Sequence, residues 1–186
     1  MRSSTFISRY LVVAGLVSAC LLAGASTASA QSGGTTAPGG GSASSTGKPG
    51  KAKLLKSGRA VPPSNAPQAV INAIVAGNRI RKKPYIWGGG HASFESKGYD
   101  CSGAVSYVLH GAGVLSSPMP SGSFVKWGKP GKGRWITTFA NAGHMYMTVA
   151  GLRFDTSAMG SGGNGPRWRG TKRSPRGFAV RHPAGL

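Results

Sequence analysis

Cysteine and histidine are the residues here with the reactivity for covalent catalysis, and the chain has two of the first and four of the second. Cys101 stands where an apolar, helix-spaced run begins (Ala104, Val105, Val108, Leu109). That spacing predicts a helix from about Cys101 to His110, ended by Gly111 and Gly113. A thiol in the first helical turn meets the positive end of the helix dipole, which favours the thiolate, and the thiolate is the attacking species. The base must come from elsewhere. His110 closes the same helix, about 13 Å further along the axis at about 1.5 Å per residue. His182 lies near the end of the sequence, where chains fray, and His91 lies in a glycine loop. His144 opens a strand (HMYMTV), so a rigid element would hold its ring, and it is the preferred base.

Acidic residues are scarce enough to be informative: Glu95, Asp100 and Asp155 are the only three. Asp100 abuts Cys101. Asp155 lies on a strand that returns beside the His144 strand, and a turn at Ala150-Gly151 sets positions 144–145 against 155–156. Asp155 can then accept from the far imidazole nitrogen, as the orienting member of a triad does. A register shifted by one would give that place to Thr156. The plainer alternative has Asp100 only capping a helix and Asp155 only pairing with a surface arginine.

The elements that must position these groups follow from pattern. Asn65 is expected to cap a helix from Ala66 to about Ile80, with Val70, Ile71, Ile74 and Val75 on its inner face. Trp135–Phe139, His144–Ala150, Leu152–Thr156 and Phe178–Arg181 read as strands, and Gly160–Arg176 as a glycine-rich basic loop. Helices followed by an antiparallel meander make an α+β domain. Trp127, Trp135 and Trp168 are read as packing residues, and Trp87 as core beneath the loop Gly88-Gly89-Gly90. That loop lacks the strand and helix context of a phosphate loop, and no Cys or His spacing suits zinc.

Composition bounds the rest. With 23 Lys+Arg against 3 Asp+Glu, the net charge is +20 and the pI about 11.3, so the surface should adhere to polyanions. Arg2 and Arg9, the apolar run Tyr10–Gly24 and the site Ala28-Ser29-Ala30 have the layout of a secretory signal peptide over residues 1–30. The run is too short for a membrane span, which needs roughly 20 residues. A minority reading is lipidation at Cys20. Cleavage after Ala30 would remove Cys20, leaving Cys101 as the only thiol, and would take two of the +20 charges, leaving +18. Residues 31–64 are expected to be a disordered Gly/Ser/Pro-rich basic linker, and residues 65–186 the folded domain.

Three stretches together resemble a known family: Pro84-Tyr85-Ile86-Trp87-Gly88-Gly89, then Gly98-Tyr99-Asp100-Cys101-Ser102-Gly103-Ala104-Val105, then Gly143-His144 before a strand. They are similar to the NlpC-type bacterial cell-wall peptidases, papain-like cysteine hydrolases that typically cut the amide between D-γ-glutamate and the diamino acid of peptidoglycan stem peptides. The resemblance spans roughly residues 66–182. It implies a papain-like α+β fold with helices packed on a small antiparallel sheet. It implies Cys101 as nucleophile, His144 as base, and Tyr85, Asp100 and Ser102 as substrate-facing residues. The third catalytic position, often a second histidine in the family, falls on Asp155. Gly133-Arg134-Trp135-Ile136 departs from the family's Gly-Asp-aliphatic strand, and the hairpin after His144 is about one residue short. The function expected is a secreted, monomeric cysteine endopeptidase of the cell envelope, needing no cofactor or metal. Its partners would be peptidoglycan and anionic wall polymers, with no specific nucleic acid. The alternative is a catalytically weak cationic wall-binding protein on the same fold, which Arg134 favours.

Overall fold

The computed structural model describes residues 47–157 and 165–186. The expected signal peptide and the linker up to residue 46 lie outside the described residues. In chain order the elements are β1 (Lys53–Leu54), β2 (Ala60–Val61), α1 (Gln68–Ile80), α2 (Cys101–Gly111) and α3 (Ser121–Phe124). There follow β3 (Lys129–Pro130), β4 (Ile136–Ala140), β5 (Met145–Val149), β6 (Leu152–Asp155), β7 (Arg167–Arg169) and β8 (Ala179–His182). Strands β3-β8-β4-β5-β6-β7 form one antiparallel sheet, and β1 pairs with β2 as a separate hairpin. This is the expected α+β arrangement, with the long helices on one face of the sheet.

Strand alternation divides the side chains. Ile136, Met145, Met147, Val149 and Phe154 point to the helices and join a core with Val70, Ile74, Val105, Val108 and Leu109. Phe139 and Tyr146 point to the far face, where their rings stack at 4.5 Å. The β5–β6 turn falls at Ala150 and Gly151 as expected. Both residues have positive φ (46° and 83°), the backbone twist that suits a two-residue hairpin.

Three local expectations are corrected. Helix α1 starts at Gln68 with Pro67 at its cap and no capping side chain. Asn65 instead accepts from Gly50 N–H at 3.1 Å and donates to the Lys48 carbonyl at 3.0 Å. Val75 is 42% exposed, because α1 turns small residues inward. A Cβ added at Gly77 would come within 2.4 Å of the Trp168 ring, and one at Gly111 within 2.4 Å of the Ala76 Cβ. Lastly, residues 47–64, placed in the linker from sequence, fold onto the domain. Buried Asn78 accepts from Ala60 N–H at 2.9 Å and donates to its carbonyl at 2.8 Å, while Ala52 N–H donates to the Ala150 carbonyl at 2.8 Å. The residues buried here are alanines, too small to make an apolar pattern.

Strand β7 also replaces part of a predicted loop. Its Trp168 is buried between two arginines, an alternation hidden by the surrounding Gly and Arg. His182, expected to fray, lies in β8 and bonds the Gly131 carbonyl through Nδ1 at 3.1 Å. Among the described residues no helix is long and apolar enough to cross a membrane.

The glycine loop is pressed onto the start of α2. A Cβ at Gly103 would lie 1.9 Å from the Gly89 carbonyl oxygen, a distance no side chain tolerates. Gly103→Ala is therefore expected to lower the unfolding free energy by about 1–3 kcal/mol, as overpacking does. Denaturant titration measures it, and an unchanged midpoint would show that the loop is not seated there.

Candidate active site

Cys101 is the first residue of α2, and Asp100 is its N-cap. The Asp100 carboxylate accepts from Gly103 N–H at 2.7 Å and from Gly88 N–H at 3.1 Å. One side chain thus ends the helix and ties the glycine loop to it, using amides that a helix start leaves unpaired. His91 extends this support. Its Nε2 lies 2.9 Å from Asp100 Oδ2 and 2.9 Å from Ser102 Oγ. Tyr85 stands over the same corner, where burial, Cys101 and Asp100 together push its phenol up.

His144 immediately precedes β5. Asn141 Oδ1 accepts from the amides of Gly143 at 3.0 Å and His144 at 2.8 Å, closing a tight turn that sets the histidine backbone. The paired residues Val149↔Leu152, Thr148↔Arg153 and Met147↔Phe154 define a register that, continued, puts His144 opposite Ser157. Asp155 is then its diagonal neighbour on the same face. His144 Nε2 lies 3.1 Å from Asp155 Oδ1 and 2.9 Å from Ser157 Oγ. With Nε2 so engaged, the remaining ring nitrogen is Nδ1, and the nearby Cys101 favours the charged ring.

Asp155 is fully shielded from solvent. Ser157 N–H donates to its Oδ1 at 2.9 Å, Arg173 Nη1 donates to Oδ2 at 3.1 Å, and Arg153 Nε lies 3.5 Å away. Burial pushes this carboxyl up, but His144, the Ser157 amide and Arg173 outweigh it and hold the group at about 2. Burial likewise opposes a charge on His144. The hydrogen bonds to Asp155 and Cys101 and their negative charge prevail, raising His144 to about 9. Arg173 Nη1 is also 3.2 Å from His144 Nε2. We read that as two donors sharing Asp155 and Ser157, since a protonated Nε2 cannot accept. The arrangement favours an imidazolium near a thiol at a helix N-terminus, which is suited to acyl transfer.

No family model matches the chain. It is 33% identical over 110 residues to the peptidoglycan endopeptidase RipB of Mycobacterium tuberculosis, an alignment that covers 46% of this chain and 45% of the relative. Over those 110 residues the chain is similar to a peptidoglycan endopeptidase. This chain's match thus spans less than half the length of that relative. Among solved structures, the peptidoglycan hydrolase RipB of M. tuberculosis is 27% identical with a TM-score of 0.48, over 66% of this chain and 68% of that one. An NlpC/P60 family protein from Bacillus cereus is 19% identical with a TM-score of 0.46, over 67% of this chain and 42% of that one.

Of the residues that the family resemblance singled out, His144 and Asp155 are hydrogen-bonded, and Cys101 is near enough to favour the charged ring. Asp100 and Ser102 lie beside the thiol but are buried (6% and 2% exposed), whereas Tyr85 is 40% exposed. Trp87 is corrected: it is 87% exposed rather than core, because the loop turns at Gly88 with φ of 72° and leaves the indole outside. Thr156 is buried on the opposite strand face from Asp155, so it does not meet the imidazole. Arg134 precedes β4 at the end away from Asn141 and bonds the Gly47 carbonyl. At about 3.3 Å per strand residue it is on the order of 20 Å from the histidine. Sequence reasoning missed His91, Ser157 and Arg173. Ser157 was recoverable from its spacing of two from Asp155; Arg173 comes from a loop with no readable pattern. Among the described residues no three His, Cys, Asp or Glu side chains are grouped to hold a metal ion.

Asp155→Asn is expected to cut turnover by about 10²–10⁴-fold, less than His144→Ala, because it removes the orienting and charge-stabilising group but not the base. Thr156→Val should leave turnover within about threefold, as expected of a residue outside the site. Steady-state rates on one muropeptide compare the three, and a near-native Asp155→Asn beside a crippled Thr156→Val would contradict the register.

Proposed function

We propose that this chain is an exported cysteine endopeptidase that hydrolyses amide bonds of peptidoglycan stem peptides, with Cys101, His144 and Asp155 as its catalytic residues. The observation that carries the reading is the Cys101 thiol at the head of α2, beside an imidazole whose Nε2 reaches a buried carboxylate. The 33% identity to a peptidoglycan endopeptidase supports the substrate class, and with it an extracytoplasmic location.

The thiolate attacks the amide carbonyl carbon, forming a C–S bond, and the carbonyl oxygen takes up negative charge. Amides that the helix start leaves unpaired would face that charge. As the C–N bond breaks, the His144 imidazolium gives its Nδ1 proton to the departing amine and becomes neutral. Neutral His144 then takes a proton from water, whose oxygen attacks the thioester. Collapse releases the carboxylic product and restores the thiolate–imidazolium pair. Asp155 keeps Nε2 protonated throughout. Tyr85 lies near the thiol and would contact the stem peptide, and the bond cut would be the D-γ-glutamyl–diamino acid amide.

Cys101→Ala should abolish release of soluble peptide fragments from purified peptidoglycan, a loss of at least about 10³-fold for a covalent nucleophile. Mass analysis of the fragments reads it. Undiminished release by that variant would overturn the assignment.

A further inference from the structure

The far face of the sheet holds a pocket of about 450 Å³ that the reaction does not use. Lys132 and Arg134 reach it from the segment before β4, Arg153 from β6, and Lys172 and Arg173 from the segment after β7, with Thr148 on its wall. Five cations from three separate stretches of chain therefore converge on one concavity. One acidic side chain, Asp155, faces them from the neighbouring strands, and it is already shared by His144, Arg153 and Arg173; the Leu186 carbonyl also meets Trp135 N–H at 3.2 Å. The other two acidic side chains, Glu95 and Asp100, lie in the loop ahead of α2. Gathering like charges in this way raises the local potential and favours an anion.

The chemistry of the lining narrows the anion. Guanidinium groups match phosphate oxygens with paired donors, and lysines add mobile point charges. Arg153 is 2% exposed and directs Nη2 to Thr171 Oγ1 at 3.4 Å, so its charge is fixed at the base of the pocket while Lys132 and Lys172 remain exposed at the rim. The aromatic side chains that border the pocket are not available for stacking: Trp135, Phe139 and Tyr146 are 5%, 7% and 1% exposed. Binding to single-stranded nucleic acid relies on exposed rings of that kind, which favours a polymer without bases. We propose that this pocket is a binding site for the phosphodiester groups of an anionic polyol-phosphate polymer, separate from the peptidase cleft but sharing Arg173 with it.

Binding does not depend on turnover, so it is measured on the Cys101→Ala protein in about 0.1 M salt, where long-range attraction is screened. The probe is synthetic poly(glycerol phosphate). Lys132→Gln/Lys172→Gln is expected to weaken binding about tenfold, the effect of losing two exposed ion contacts. The charge-matched control Lys56→Gln/Lys126→Gln, at exposed sites outside the pocket, should weaken it less than about twofold. Equal weakening by both pairs would overturn the site in favour of diffuse charge. Single-stranded DNA of equal charge that binds as tightly and responds alike would overturn the choice of polymer. So would displacement by inorganic phosphate at equal phosphate concentration, which would point to the free ion.

Discussion

Asp155 is a buried carboxylate in a chain with 23 basic residues, and the charge state of the whole site depends on it. It lies within reach of His144, the Ser157 amide, Arg173 and Arg153. A carboxylate taken out of water is costly unless its lone pairs are met, and here they are met by groups that also serve the reaction. The outcome is a histidine held protonated to about 9 despite its burial. Without that anion, Arg173 beside the ring would favour a neutral imidazole.

The nucleophile is set by a second carboxylate on the other side of the cleft. Asp100 caps α2 and holds Gly88 N–H, so the helix that presents Cys101 and the loop that borders it move as one unit. His91 and Ser102 complete a polar cluster beneath the thiol. Two of the three acidic side chains thus position the two groups proposed as catalytic, one on the helix and one on the sheet.

Helix α2 and strands β4 to β6 were legible because their signals are local: an apolar stripe, a strand opened by histidine, a two-residue turn. The same locality made Cys101 and His144 readable. Asp155 was found by pairing strands across that turn, although the continued register opposes His144 to Ser157 and makes Asp155 the diagonal neighbour. What escaped depended on contacts distant in sequence. The hairpin at 53–61 is held by Asn78, strand β7 hides a single inward Trp168 among arginines, and Arg173 enters the site from an unpatterned loop. Trp87 failed for a different reason, since a large aromatic beside a glycine run reads as core until the turn direction is known.

Asp155 and Cys101 keep His144 charged, and nitrogen-detected NMR titration of the His144 imidazole in the intact protein reads that charge. A midpoint near 9, with Nε2 remaining protonated above it, is the predicted result. A midpoint near 6.5, the ordinary histidine value, would contradict the account.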